Sequence, residues 1–393
     1  MSQSDKFVMP TYGRFPINFV RGKACHLFDE NDNDYLDFHA GIAVNSLGHC
    51  HPHLQEILAD QSKKLWHISN LYPIGEQSRL AERLCANSFA DKVFFCNSGV
   101  EALEGMIKLA RRYHFVNNAP HKWRIITAQS SFHGRSLATL AAAKNPKHYE
   151  GFGPLIDGFD QVPLNNGNML REKITDETAA ILLEPLQGEG GINIADSDYL
   201  QFLRKTCDEY GILLLLDEVQ CGNARTGKLW AHEWANIKPD AIATAKGLGG
   251  GFPIGAFLAS DKAASGMTPG THGSTFGGNP LATAVANGVL DVILSDNFLQ
   301  NVQEKGQYLK DKVLALISDH PAIYQAHLGR GLMQGIKIHP TYAVGDVVST
   351  AFQHKLLLVG AGNNVARLLP PLIIEKDDID KAIDILHAVA LDL

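Results

Sequence analysis

Residues 212–216 read Ile-Leu-Leu-Leu-Leu and run directly into Asp217. Aliphatic side chains in unbroken succession leave a strand no polar face, so a strand built from them has to be covered on both sides. Comparable apolar segments stand at 93–96, 124–128, 180–184, 241–245 and 256–259. Between them apolar residues recur at helical spacing, at 80–86, 100–115 and 199–210. The last of these is capped by Asp196, Ser197 or Asp198 and stopped by Gly211. Such strands alternating with helices predict an α/β fold whose mostly parallel sheet carries helices on both faces.

The pattern changes along the chain. The first 55 residues are rich in turns, with GRFP, DENDNDYLDF and GHCHPH, and read as an arm of short strands. After about residue 285, longer helices and amphipathic strands take over and close with a helix from Asp377 or Asp378. The expected division is an N-terminal arm at 1–55, a large domain at 56–285 and a smaller α+β domain at 286–393, with the arm packing beside the small domain. A chain of 393 residues, 45% hydrophobic and 20% charged, can bury a core of that size.

Several function classes fall away on composition. A net charge of −7 without a basic block gives no footprint for nucleic acid or an anionic membrane. Apolar runs fall short of the roughly 18 to 20 residues of a spanning helix. The start MSQSDKFVMP lacks a basic and then apolar signal pattern, so a cytoplasmic protein is expected. Cys25, Cys50, Cys85, Cys96, Cys207 and Cys221 form no CxxC pair and read as reduced thiols. His49-Cys50-His51-Pro52-His53 has the right atoms for zinc, but neighbours in an extended segment point to opposite sides and no second ligand pair stands nearby, so no metal is expected.

The chemistry lies at the ends of the apolar segments. Lys246 follows 241–245 and precedes four glycines within five residues. An amine at the end of a buried strand, beside backbone too slim to block a flat ligand, suits a Schiff base to a cofactor aldehyde. Asp217, at the mouth of another buried strand, needs a cationic partner. Together they suggest pyridoxal 5'-phosphate (PLP), with Asp217 on the pyridinium nitrogen and Lys246 on the aldehyde. Taken alone, a lysine is usually a surface group and an acid ending a strand is often a cap.

Further marks occur at other strand ends, where open parallel sheets bind ligands. Ser98-Gly99-Val100 follows the segment 93–96 and opens a helix with free backbone N–H groups, which reads either as a phosphate cup or as a plain cap. In SFHGR, Phe132 can stack on a flat ring and Arg135 can hold a carboxylate bidentately. EPLQGEGG places Glu184 and Glu189 in a glycine-rich turn, and Thr275 offers another hydroxyl among glycines before a helix. A rival from another class is a P-loop nucleotide hydrolase, because Gly222 to Lys228 fits GxxxxGK. Leu229 stands where that loop needs Ser or Thr, and the acidic strand runs into the loop when it should come later.

Taken in order, LDFHAGIAVNSLGHCHP, FFCNSGVEA, SFHGR, EPLQGEGG, LLLLDEVQ, ATAKGLGGGFPIGA, HGSTFGGNPLA and RLLPPL resemble the class III, or ω-amino-group, aminotransferases of PLP fold type I, and most closely their acetylornithine branch. The resemblance runs nearly end to end. It implies Lys246 as the Schiff-base lysine, Asp217 on the pyridine nitrogen, Gln220 on the ring phenolate oxygen, and Val219 and Phe132 sandwiching the ring. Ser98, Gly99 and Val100 would bind the phosphate. Thr275 would reach the phosphate in the neighbouring subunit, so a homodimer with shared active sites is implied. Arg135 and Arg367 match the carboxylate-binding arginines, Glu189 matches the glutamate that pairs with the second of them, and Ser274 is placed among the substrate contacts. The implied reaction is transamination between N-acetylornithine and 2-oxoglutarate in arginine biosynthesis. Ornithine, succinylornithine and 4-aminobutyrate donors, or a semialdehyde aminomutase, stay open. Val100 departs from the more usual Thr or Ala, and Ala102-Leu103-Glu104-Gly105 from the more frequent Ala-Asn-Glu-Ala.

Overall fold

A computed structural model describes residues 7–393; residues 1–6 of the expected arm lie outside the described residues. The central sheet has seven strands in the order Lys92–Cys96, Gly255–Ala259, Ala241–Thr244, Leu213–Asp217, Thr178–Leu183, Arg124–Ala128 and Phe159–Val162. Leu213–Asp217 sits in the middle and is buried along its whole length. Its aliphatic run serves two faces. Leu213 and Leu215 share a core with Leu103, Met106 and Leu109 of helix Gly99–Val116. Leu214 and Leu216 share another with Leu200 and Leu203 of helix Ser197–Tyr210. Each such leucine contributes roughly 1.5–3 kcal/mol by leaving water. Helix Ser197–Tyr210 has Asp196 at its N-cap and ends on Gly211 at φ 62°, the left-handed stop that glycine allows.

Leu213–Asp217 runs parallel to both its neighbours, with Leu215 beside Ala241 on one side and Leu182 on the other. One strand breaks the pattern: Gly255–Ala259 is antiparallel to Ala241–Thr244 and to Lys92–Cys96. It therefore begins at the edge where the others end. A Cβ on Gly255 would stand 2.4 Å from the Ser98 carbonyl oxygen, so only glycine admits the approach.

Two smaller sheets complete the fold. Tyr324–Arg330, Met333–Ile338, Val365–Leu368 and Val359–Ala361 form an antiparallel sheet, packed against helix Phe298–Asp319. That helix in turn packs on the final helix, Lys376–Asp392. The N-terminal strands Phe19–Lys23, His26–Asp29 and Asp34–Asp37 pair in sequence, and Leu356–Leu357 adds to them in parallel. Phe352 stacks on Phe15 and Tyr35, with ring centroids 4.6 and 5.7 Å apart. Among the described residues no helix is long and apolar enough to cross a membrane.

Candidate active site

The carboxyl ends of the parallel strands open on a cavity of about 420 Å³. Asp217, Val219, Gln220 and Lys246 line it, as do Ser98, Gly99 and Val100 at a helix start and Phe132 and Arg135 from the SFHGR turn. The fold thus brings together residues from four strand ends that are remote in sequence.

Asp217 is buried at 3% exposure. Its Oδ2 lies 2.8 Å from His133 Nδ1, and its Oδ1 accepts from the Val219 amide at 3.0 Å. His133 was legible in SFHGR only as a neighbour of Phe132, and its ring is fully enclosed. Its Nε2 is buried and unpartnered among the described residues. Lys246 follows Ala241–Thr244 with φ 44°, a left-handed conformation rare for a residue with a side chain and often found at functional sites. The side chain is half-buried and faces the cavity. Burial lowers its amine below the usual lysine range, and the carboxylates of Glu189, Asp217 and Glu184 offset this only in part. A shift in that direction leaves more of the lysine as the neutral amine, the form that acts as nucleophile and base. Ser46 Oγ donates to the Gly247 carbonyl at 3.0 Å and ties this turn to the N-terminal segment.

Glu184 is a second residue given no role by the sequence. It lines the cavity, and its Oε2 accepts from the Phe132 amide at 3.0 Å. Burial, followed by the charge of Asp217, pushes its carboxyl well above the usual range.

Ser98 caps helix Gly99–Val116, its side chain accepting from the Glu101 amide. The cap is thus present, and Ser98, Gly99 and Val100 at this helix start line the cavity. Ser274 and Thr275 lie outside the cavity of their own chain. Ser274 Oγ accepts from Asn97 Nδ2 at 3.2 Å, and Thr275 is exposed.

Next to Gln220, Arg367 is almost fully buried and makes a two-pronged pair with Glu189, at 2.5 and 3.0 Å. The guanidinium also approaches Gln220 Oε1 at 3.4 Å and donates to the Gly360 carbonyl at 3.1 Å. Burial pushes the Glu189 carboxyl up, but Arg367 outweighs it and holds the group below its usual range. Arg135 is exposed, its guanidinium 5.6 Å from the Phe132 ring centre.

The loop 222–228 is no phosphate cradle. Its amides close on its own turn, with Ala224 donating to Leu229, Arg225 to Gly222 and Gly227 to Ala224. Arg225 is buried and donates to the Leu332 and Pro370 carbonyls. His49, from the His-Cys-His cluster, bonds Asp37 at 2.7 Å.

These elements suit one group. An enclosed carboxylate, a cavity-facing amine shifted toward its neutral form, an aromatic side chain and a helix start make a donor set for a flat, cationic, aldehyde-bearing phosphate. Comparison with known proteins agrees. The profile of the family "Aminotransferase class-III" matches residues 7–390, and the chain belongs to the class III aminotransferases. It is an enzyme of amino-group transfer. It is 53% identical over 374 residues to the acetylornithine aminotransferase of Brucella melitensis, covering 95% of this chain and 92% of the relative. The N-acetylornithine aminotransferase of Stenotrophomonas maltophilia superposes with a TM-score of 0.85 at 34% identity, covering 99% of this chain and 98% of the other. An ornithine aminotransferase of Toxoplasma gondii superposes with a TM-score of 0.94 at 29% identity, covering 99% and 93%. Its structure shows partial occupancy of PLP at the active site.

Proposed function

We propose that this aminotransferase uses PLP to move the terminal amino group of N-acetylornithine to 2-oxoglutarate, giving N-acetylglutamate 5-semialdehyde and glutamate, as arginine biosynthesis requires. The observation that carries the reading is the cavity lined by Lys246, Asp217 and Gln220, with the Glu189–Arg367 pair set behind Gln220, whose Oε1 lies 3.4 Å from the guanidinium. The names of the relatives select the donor.

When bound, PLP supplies an aldehyde for amine exchange and a ring that withdraws electrons from the carbon carrying nitrogen. The amides of Gly99 and Val100 and the Ser98 hydroxyl would hold its phosphate, Val219 and Phe132 would flank the ring, and Gln220 would bond the ring oxygen. Asp217 keeps a proton on the ring nitrogen, a cation that burial would otherwise disfavour. Lys246 would anchor the aldehyde through its Nζ, and the same amine would be the base that carries the proton at the substrate carbon. Arg135 holds the carboxylate at the far end of the donor.

Two partners must use the same cavity, one reacting at a terminal amine and the other an α-keto diacid. With the donor in place Glu189 neutralises Arg367. In the other half-reaction Glu189 swings off, and Arg367 grips the α-carboxylate of 2-oxoglutarate bidentately.

Thr275 is read as completing the phosphate site of a second copy. Trp66, Leu71, Tyr72 and Phe276 are 61–85% exposed. Asn70 ties their segments into one face by donating to the Ser274 and Gly277 carbonyls. Apolar area of this kind beside a site is what an oligomer covers. Sedimentation at micromolar concentration gives a dimer, and a monomeric yet fully active enzyme would exclude this part.

The donor assignment is tested by kcat/KM for N-acetylornithine, succinylornithine, ornithine and 4-aminobutyrate with 2-oxoglutarate as acceptor. N-acetylornithine ranks first. A higher value for ornithine or 4-aminobutyrate removes the assigned donor and leaves the family intact.

A further inference from the structure

The Glu189–Arg367 pair is held from behind by a feature that neither side chain reveals. Glu189 lies in the loop following Leu186–Gln187, on the side of the central sheet, whereas Arg367 lies in Val365–Leu368 of the smaller antiparallel sheet. The turn Gly362–Asn364 leads the chain into that second strand and is bonded to the glutamate loop. The Gly362 amide donates to the Glu189 carbonyl at 2.8 Å, and Asn363 Nδ2 donates to the Gly190 carbonyl at 3.1 Å. Asn193 Nδ2 reaches the same Gly190 carbonyl at 3.1 Å.

The turn is itself braced. Lys337 Nζ donates to the Asn363 carbonyl, and Asn364 Nδ2 donates to the carbonyls of Ile338 and Tyr342 at 3.2 and 2.9 Å. Asn363 and Asn364 have φ of 55° and 57°, the left-handed region that asparagine tolerates better than most residues. The two loops touch so closely that a Cβ on Gly362 would stand 2.9 Å from the Gly190 oxygen and 3.1 Å from the Glu189 oxygen. Backbone and side-chain bonds thus fix the Glu189 main chain against the strand that carries Arg367, and only the carboxylate arm is left to move. Misplacing a recognition group by about 1 Å costs on the order of a hundredfold in rate, so this register has leverage on the pair.

We propose that the turn Gly362–Asn364 is a latch, with Asn363 as a positioning residue, that sets how firmly Glu189 covers Arg367 and so the balance between terminal-amine and α-carboxylate-bearing partners. It rests on the roles proposed above for Glu189 and Arg367. Loosening the latch frees Arg367 for an α-carboxylate without touching the amine, the ring or the phosphate.

The test compares kcat and KM for N-acetylornithine and for glutamate as amino donors in the PLP-loaded enzyme. The variants are Gly362→Ala, Asn363→Gly, Glu189→Ala and the double variant Gly362→Ala/Glu189→Ala. Gly362→Ala pushes the loops apart. Asn363→Gly keeps the left-handed backbone and loses only the side-chain bond, at an exposed position where folding is not at stake. The ratio of kcat/KM for glutamate to that for N-acetylornithine rises about fivefold in Gly362→Ala and about twofold in Asn363→Gly, chiefly through the KM for glutamate. The double variant matches Glu189→Ala alone, and the visible spectrum of the bound cofactor is unchanged. If Glu189→Ala shifts the ratio while both latch variants leave it alone, or depress both donors equally, the latch is overturned. If Glu189→Ala itself leaves the ratio unchanged, the pair has no gating role and the latch falls with it.

Discussion

Asp217 ends one strand of the central sheet and Lys246 stands in the turn after the adjacent strand, with Asp217 in register with Ala243. Glu189 and Arg367 are separated by 178 positions and meet from loops and strands of different sheets. The backbone under the first pair is held by the hydrogen-bonded ladder of the central sheet. In the second pair the Glu189 main chain is tied to the turn before the Arg367 strand, and its proposed work requires only the carboxylate arm to open. On the proposed reading, a rigid end of the site does the chemistry and an adjustable end, next to Gln220, chooses what enters. Positions on regular strands hold geometry better than loop positions, and motion is drawn from the less tightly packed elements.

The largest effect expected belongs to the rigid end. Lys246→Ala removes anchor and base together and lowers turnover by about a thousandfold or more, measured with saturating PLP. Activity within tenfold of the parent would break the contrast between the two ends. At the adjustable end, Glu189→Ala leaves turnover of N-acetylornithine within a few-fold but raises the kcat/KM for glutamate as donor by about tenfold, near the value of one charge-assisted bond. An equal loss for both donors would mean that this end too is rigid machinery.

The smallest effect concerns Glu184, at the rigid end. Its carboxyl lies above the usual range when folded, so it lowers stability as pH rises. Below the ordinary carboxyl range both folded and unfolded chains are protonated and no penalty arises. As pH rises through that range the unfolded chain ionises, while the folded chain must hold the proton or bury a charge. Glu184→Gln keeps an acceptor for the Phe132 amide and removes that penalty. The cofactor-free protein gains stability at pH 8 and almost none near pH 4, read from thermal unfolding at the two pH values. A loss of stability at pH 8 would show instead that an ionised Glu184 is used.

The same division explains what could be read from the chain. Leu213–Asp217 and Ala241–Thr244 are buried on both faces, so local composition carries both the strand and the charged residue at its end. Phe159–Val162 was not anticipated. It is an edge strand with one neighbour, its polar positions stay partly open, and Asp160 spends its carboxylate on Arg124 at 2.9 Å. The contact of His133 with Asp217 and the meeting of Glu189 with Arg367 depend on how strands are ordered in space. Spacing along the chain holds no trace of that order, and only the family resemblance pointed to the second.

The strand that runs against its neighbours has a consequence for how this chain can vary. Because Gly255–Ala259 starts where Ala241–Thr244 ends, the segment bearing the lysine makes a direct return and is pinned at both flanks. A residue inserted there could not be absorbed by a sliding helix, as it could in the crossovers elsewhere. It would shift the amine, tolerance to added length should vanish between 245 and 254, and sequence drift there is confined to one-for-one exchange.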